Sequence, residues 1–122
     1  MESPFKEKTG LKRLINAFRY SINGYKEAFK NEAVFQQEFF LSLILIPAGF
    51  LIGESGTQKT LLVSSIVIIP IVELLNSAVE AAVDRISFDN HHLAKRIKDI
   101  GSAAVFLAIG NAFITWIVIL FF

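Results

Sequence analysis

Hydrophobic and polar residues divide the chain into one amphipathic segment followed by three long apolar segments. From Leu11 to Phe29 the apolar residues recur at intervals of three and four, which predicts a helix with one apolar face. The other face carries basic residues, namely Lys12, Arg13, Arg19, Lys26 and Lys30. A basic amphipathic helix ahead of a membrane segment is typical of a helix that lies in the membrane surface. We therefore predict a surface helix over residues 9–30.

The three apolar segments predict transmembrane helices. Residues 39–52 and 100–122 contain no charged residue. At about 1.5 Å per residue, 39–52 alone is too short to cross a hydrocarbon core of roughly 30 Å, so this span must begin near residue 33. We predict spans over 33–52, 59–86 and 99–121, joined by a turn at 53–57 and a polar loop at 87–98. The expected fold is all-α, with one membrane-embedded domain over 1–122.

A polar stripe interrupts the second apolar segment. Glu73, Asn76, Glu80 and Asp84 follow one another at i, i+3, i+7 and i+11, within an arc of about 80° on a helix. Ionisable residues inside a membrane are costly and by default mark a functional site. The alternative is a helix that has already left the bilayer and simply shows a wet face. The apolar residues on the opposite sides of the helix argue against that alternative.

Composition supports a small integral membrane protein. Of the 122 residues 53% are hydrophobic, and the mean hydropathy is +0.54. The chain contains no cysteine, which excludes disulfides, thiolate metal sites and cysteine nucleophiles. The net charge is +1 without a long basic run, so we expect no nucleic-acid partner. The polar residues 1–10 also lead us to expect no cleaved signal peptide.

Lysine and arginine predict the orientation. They concentrate in residues 6–30 and 85–98, whereas the first turn is flanked only by Lys59. By the positive-inside rule, the N-terminus and the second loop face the cytoplasm. Most acidic residues then gather on the cytoplasmic side of the membrane.

Carboxylates and basic residues at one membrane interface suit a metal-bound polyphosphate. Mg²⁺ usually takes one or two protein carboxylates and completes its shell with water and phosphate oxygens. Glu32 and Glu80 could supply them if their helices meet, while Arg13 and Lys98 could neutralise phosphate oxygens. The chain lacks both GxxxxGK[ST] and GxGxxG, so neither familiar nucleotide-binding loop is available. His91 and His92 lack helical metal-ligand spacing and are interpreted as part of a solvated loop.

Three motifs resemble a known family. They are Asn31-Glu32-Ala33-x-Phe35-x-Gln37-Glu38, Val72-Glu73-x-Leu75-Asn76-Ser77-Ala78-x-Glu80-Ala81-x-Val83-Asp84-Arg85, and Ala94-x-x-x-Lys98-Asp99-x-Gly101-Ser102-Ala103-Ala104-Val105. In order and spacing they closely resemble the prokaryotic diacylglycerol kinases, over about residues 10–118. The resemblance implies a surface helix and three transmembrane helices per chain, in a homotrimer with composite sites between subunits. It also implies phosphorylation of a lipid alcohol by MgATP, in phospholipid recycling.

The resemblance assigns roles to matching positions. Glu73 would be the base that takes the proton from the lipid hydroxyl, Asn76 would lie beside the reacting phosphate, and Glu32 and Glu80 would hold the metal. The implied ATP-binding positions are Arg13, Tyr20, Glu32, Asn76, Glu80, Asp89, Asn90, His91, Lys98 and Asp99. The implied lipid-binding positions are Arg13, Ala17, Tyr20, Phe35, Glu38, Glu73 and Ser102. Asn90 departs from the tyrosine that the family shows at that position.

Three functions remain open from the sequence. Asn76-Ser77, Asp84-Arg85 and Gly101-Ser102-Ala103-Ala104 look like the diacylglycerol branch of the family, which is typical of Gram-negative inner membranes. An undecaprenol kinase of the same fold would need the same reacting residues. A non-enzymatic transporter or channel subunit would instead use Glu73 as a proton or ion site. The clustering of acidic residues on one leaflet argues against transport.

Oligomerisation is expected on physical grounds. Three helices cannot seal Glu73 and Asn76 from lipid by themselves, whereas an oligomer can bury them. The number three comes only from the resemblance.

Overall fold

The computed structural model describes residues 10–86 and 91–122, except for the side chain of His91. These residues form four helices: α1 (Gly10–Asn31), α2 (Ala33–Ile52), α3 (Gly56–Ile86) and α4 (His91–Phe121). No strand occurs in this part of the chain. The all-helical prediction is confirmed. The helices α2, α3 and α4 are each long and apolar enough to cross a membrane.

Two helix starts differ from the prediction. Helix α3 begins at Gly56 instead of residue 59, because Ser55 and Gln58 cap it. The Gln58 backbone N–H donates to Ser55 Oγ at 3.1 Å, and the Glu54 backbone N–H donates to Gln58 Oε1 at 2.8 Å. The first bond satisfies one of the backbone donors that a helix start otherwise leaves without an acceptor, and the second ties the residue before the cap to the first turn.

The second difference is larger. The predicted polar loop over 87–98 is wrong for residues 91–98, which belong to α4. Outside the hydrocarbon core, polar residues are compatible with a helix. Here Lys95 Nζ donates to Asp99 Oδ2, one turn later, at 2.7 Å. Pairs of this spacing favour helix. Residues 87–90, with the predicted nucleotide contacts Asp89 and Asn90, lie outside the described residues.

The chain divides into two compact units, one ending at Ala33 and one comprising Val34–Phe122. In the first unit α1 exposes apolar residues such as Leu11 and Phe18, as a helix made to lie on a membrane surface does. At the end of α1, Asn31 Nδ2 donates to the backbone carbonyl of Glu27 at 2.9 Å.

In the second unit α3 and α4 form an antiparallel helical hairpin. The indole Nε1–H of Trp116 donates to Ser65 Oγ at 3.1 Å and to the Leu62 carbonyl at 3.2 Å. Further along α3 Asn76 faces Gly101, and near its end Asp84 pairs with Lys98. From one contact to the next the residue numbers rise on α3 and fall on α4, which makes the two helices antiparallel.

Close packing joins α2 to α3 at Gly49. A Cβ atom at Gly49 would lie 3.2 Å from Leu62 Cβ and 3.2 Å from Val63 Cγ2, and Leu62 is fully buried. Both α2 and α3 continue through an internal proline, Pro47 and Pro70, which membrane helices tolerate.

Candidate functional site

The polar stripe runs from a buried carboxylate to an exposed one. All four of its residues lie on α3, as their spacing predicts. Glu73 is 8% exposed, Asn76 and Glu80 are half-buried, and Asp84 is exposed. The stripe thus leads from the interior of the second unit out to its surface over about three helical turns.

Glu73 is one of two buried polar residues among those described, and the only ionisable one. The hydroxyl of Ser77 donates to the backbone carbonyl of Glu73 at 2.9 Å, so the serine is satisfied within the helix. A buried carboxylate in a membrane protein is costly, and it persists mainly where function requires it.

The Asn76 carboxamide connects the stripe to α4. Its Nδ2 donates to Glu80 Oε1 over a long 3.3 Å. Its Oδ1 is buried and has no hydrogen-bond partner among the described residues. That oxygen occupies the space that a Cβ atom on Gly101 would take. The carboxamide is therefore held by one weak hydrogen bond and by packing against a glycine.

Two ion pairs lie at the polar end of the hairpin. Lys98 Nζ is 2.6 Å from Asp84 Oδ1, and Lys95 Nζ is 2.7 Å from Asp99 Oδ2. The predicted nucleotide-binding residues Lys98 and Asp99 consequently pair with other residues and not with each other. The side chains of Lys98 and Asp84 are 42% and 62% exposed. Such solvated pairs contribute only about 0–1 kcal/mol each, so packing, not charge, holds the two helices together.

The remaining predicted site residues divide between the two units. In the first unit Arg13, Ala17 and Tyr20 are exposed and Glu32 is half-buried. In the second unit Phe35 is buried.

Three further predicted site residues lie in the second unit. Two were predicted to bind lipid and one to bind nucleotide. Glu38 is half-buried, and its backbone carbonyl accepts from Ser42 Oγ at 2.7 Å. Ser102 is exposed. His91 opens α4, but its side chain is outside the described part of the structure.

The carboxylates do not form a closed metal cage. Within residues 10–86 and 92–122 there is no group of three or more His, Asp or Glu side chains that could hold a metal ion. Mg²⁺ on a polyphosphate seldom needs one, because phosphate and water supply most of its ligands. Glu80, half-buried and beside the Asn76 amide, is a donor of the type that such an ion takes.

Sequence reasoning missed the contacts that α4 makes with the stripe. It included Gly101 in the third family motif but did not connect it to Asn76. It also did not pair Asp84 with Lys98. A signal was present, since an antiparallel hairpin with a short connection brings residues near 84 opposite residues near 98.

Comparisons with known proteins agree with the motifs. The family model for prokaryotic diacylglycerol kinase matches residues 19–120. A diacylglycerol kinase of Pseudomonas aeruginosa is 48% identical over 118 residues, which are 97% of this chain and 96% of the relative. One from Haemophilus influenzae is 51% identical over 114 residues, 93% of this chain and 97% of the relative. One from Escherichia coli is 45% identical over 112 residues, 92% of each chain.

Proposed function

We propose, since the chain belongs to the prokaryotic diacylglycerol kinase family, that it transfers the γ-phosphate of ATP to the hydroxyl of 1,2-diacylglycerol. The products are phosphatidic acid and ADP. The observation that carries the proposal is the buried Glu73 carboxylate, one turn before the Asn76 amide on a membrane-spanning helix. The relatives are named as diacylglycerol kinases, and none of the three reported above is named as an undecaprenol kinase or a transporter.

The reaction requires little covalent chemistry from the protein. In our proposal the lipid oxygen attacks the γ-phosphorus, its proton passes to Glu73, and the bond from the γ-phosphorus to the bridging oxygen of ADP breaks. A positioned base contributes about 10²–10⁴-fold to such a step. Positioning and charge neutralisation supply most of the rest. We assign positioning of the phosphate to Asn76 and charge neutralisation to Lys98, whose ammonium already faces a carboxylate, that of Asp84.

We further propose that Glu80 and Glu32 hold Mg²⁺ on the ATP phosphates. The ion would neutralise phosphate charge. The fit rests on the donor type and half-burial of both carboxylates and on the small number of protein ligands that Mg²⁺ requires.

The assembly that we propose is a homotrimer in the bacterial inner membrane, with the N-terminus and the active site on the cytoplasmic side. Small residues on α3, namely Ala78, Ala81 and Ala82, are exposed in the single chain, which favours close approach of another copy. Asn111, also exposed, lies within the apolar part of α4, where a polar side chain favours contact with protein over lipid.

The test is phosphate transfer in mixed micelles. Purified protein receives γ-labelled ATP, Mg²⁺ and either diacylglycerol or undecaprenol. We expect labelled phosphatidic acid and little labelled undecaprenyl phosphate. Preference for undecaprenol would change the substrate and keep the assignments, whereas no transfer by folded, oligomeric protein would refute the kinase assignment.

Glu73→Gln is the matched variant for this assay. It keeps the size of the side chain but cannot accept the proton. We expect turnover to fall by about 10²-fold or more, while the dissociation constant of MgATP stays unchanged. Substantial residual turnover would remove Glu73 from its role as base.

A further inference from the structure

We propose that Gly101 is a positioning residue for Asn76, and that the lack of a side chain at 101 sets the orientation of the reactive-site carboxamide. The proposal rests on the proposed function, because that function gives Asn76 its place beside the reacting phosphate. It extends the site from α3 to α4, where no residue in contact with Asn76 was expected.

The first observation is steric. A Cβ atom built on Gly101 would overlap Asn76 Oδ1 and lie 3.0 Å from Asn76 Cγ. The three nearest heavy atoms all belong to the Asn76 carboxamide. The carboxamide therefore fills the notch that glycine leaves in the surface of α4.

The second observation is the weakness of the hydrogen bonding that holds that carboxamide. Nδ2 makes a hydrogen bond of 3.3 Å to Glu80 Oε1, near the upper limit for such a bond. Oδ1 is buried without a hydrogen-bond partner in the described residues. Hydrogen bonds therefore fix the direction of the amide only weakly, and the contact with Gly101 restrains it further.

The effect of a methyl group at residue 101 depends on which atoms it would displace. The overlapping atoms belong to the end of a side chain and not to backbone, so the hairpin can accept a Cβ by rotating Asn76. Alanine is also the better helix former. We therefore expect Gly101→Ala to fold as well as the parent protein and to displace Asn76.

Gly110 provides a matched control on the same helix. A Cβ atom there would meet no heavy atom within 4 Å, and Gly110 has no part in the proposed site. Gly110→Ala repeats the chemical change without the overlap.

The experiment measures kcat, the KM values and the unfolding midpoint for both variants. A misplacement of about 1 Å at a reacting group can cost on the order of 10²-fold in rate. We expect a loss of that order in kcat for Gly101→Ala, with the unfolding midpoint unchanged, and parental values for Gly110→Ala. Equal kcat in the two variants would overturn the proposal.

A double variant tests whether the effect passes through Asn76. In the Asn76→Ala background the overlap is gone, so Gly101→Ala should leave the residual activity unchanged. A further loss of similar size in that background would show that Gly101 acts independently and would overturn the proposal. If Gly101→Ala alone does not fold, recovery of folding in the double variant supports the contact, and failure to recover contradicts it.

A readout without turnover separates this proposal from the proposed function. The side-chain amide resonance of Asn76, identified by its loss in Asn76→Ala, should shift in Gly101→Ala and stay in place in Gly110→Ala. An unshifted resonance would overturn the contact. Full turnover by Asn76→Ala with a shifted resonance would instead refute the role of Asn76 and keep the contact.

Discussion

Replacing Leu62 with alanine tests what holds the membrane helices together. Leu62 is fully buried, and its Cβ lies 3.2 Å from the position that a Cβ atom on Gly49 would occupy. Its backbone carbonyl accepts from Trp116 and Ser65, and the substitution leaves that carbonyl in place. The change therefore removes side-chain packing alone.

The expected loss in the free energy of unfolding depends on whether the unfolded helices face water or lipid. In water-soluble cores a buried Leu→Ala costs about 2.7–5.0 kcal/mol, which includes the cavity left behind. Transfer from water accounts for about 0.8 kcal/mol for each of the three carbons removed. Helices separated within a membrane still face lipid, so this transfer part cancels. We expect the packing part, about 0.3–2.6 kcal/mol, to remain.

The assay is equilibrium unfolding in mixed micelles with increasing dodecyl sulfate, followed by near-ultraviolet circular dichroism, which reports side-chain packing, and extrapolated linearly. Leu61 is the matched control, since it is the preceding residue on α3 and is 50% exposed. We expect Leu61→Ala to change the free energy of unfolding by no more than about 0.5 kcal/mol.

Two results would refute the reasoning. Equal losses for Leu61→Ala and Leu62→Ala would mean that Leu62 is not packed in the way described. A loss for Leu62→Ala above about 4 kcal/mol would mean that transfer from water contributes, and that the reference state is not lipid-facing helix.

Three other substitutions test the site and the hairpin. Glu80→Ala should weaken binding of MgATP in titration calorimetry; an unchanged dissociation constant would contradict its proposed metal role. Trp116→Phe removes a hydrogen-bond donor to α3 and should cost about 0.6–1.7 kcal/mol, part of which a double-mutant cycle with Ser65→Ala should recover as coupling. Strict additivity in that cycle would argue against the bond. Asp84→Asn should change the free energy of unfolding by less than about 1 kcal/mol, because the pair is exposed, and a larger loss would show a desolvated pair.

Helix positions could be predicted because hydrophobic periodicity and span length constrain them strongly. The start of α4 could not, since residues 91–98 are polar and polarity separates membrane from water, not helix from loop. The i,i+4 pair Lys95–Asp99 was the local signal for helix in that segment.

The stripe of the candidate site could be predicted, but its surroundings could not. Spacing along one helix places Glu73, Asn76 and Glu80 on one face because the helical period is fixed. The contact of Asn76 with Gly101 depends on how far α4 is shifted along α3 and on how it is rotated. The shift and the rotation of α4 are determined by packing along the whole hairpin and not by any single residue.

Trp116 gives the molecule an optical reporter of its own. It is the chain's only tryptophan, and its indole N–H bonds across the hairpin to α3. Indole emission depends on hydrogen bonding and on the polarity around the ring, so intrinsic fluorescence reports this one interhelical contact without a label. The ring lies near the end of the hairpin opposite to Asp84 and Lys98, at a distance of roughly 28 Å along α3. A change in emission on adding nucleotide would therefore signal movement transmitted along the helices, because a ligand at the polar end lies too far away to quench the ring by contact.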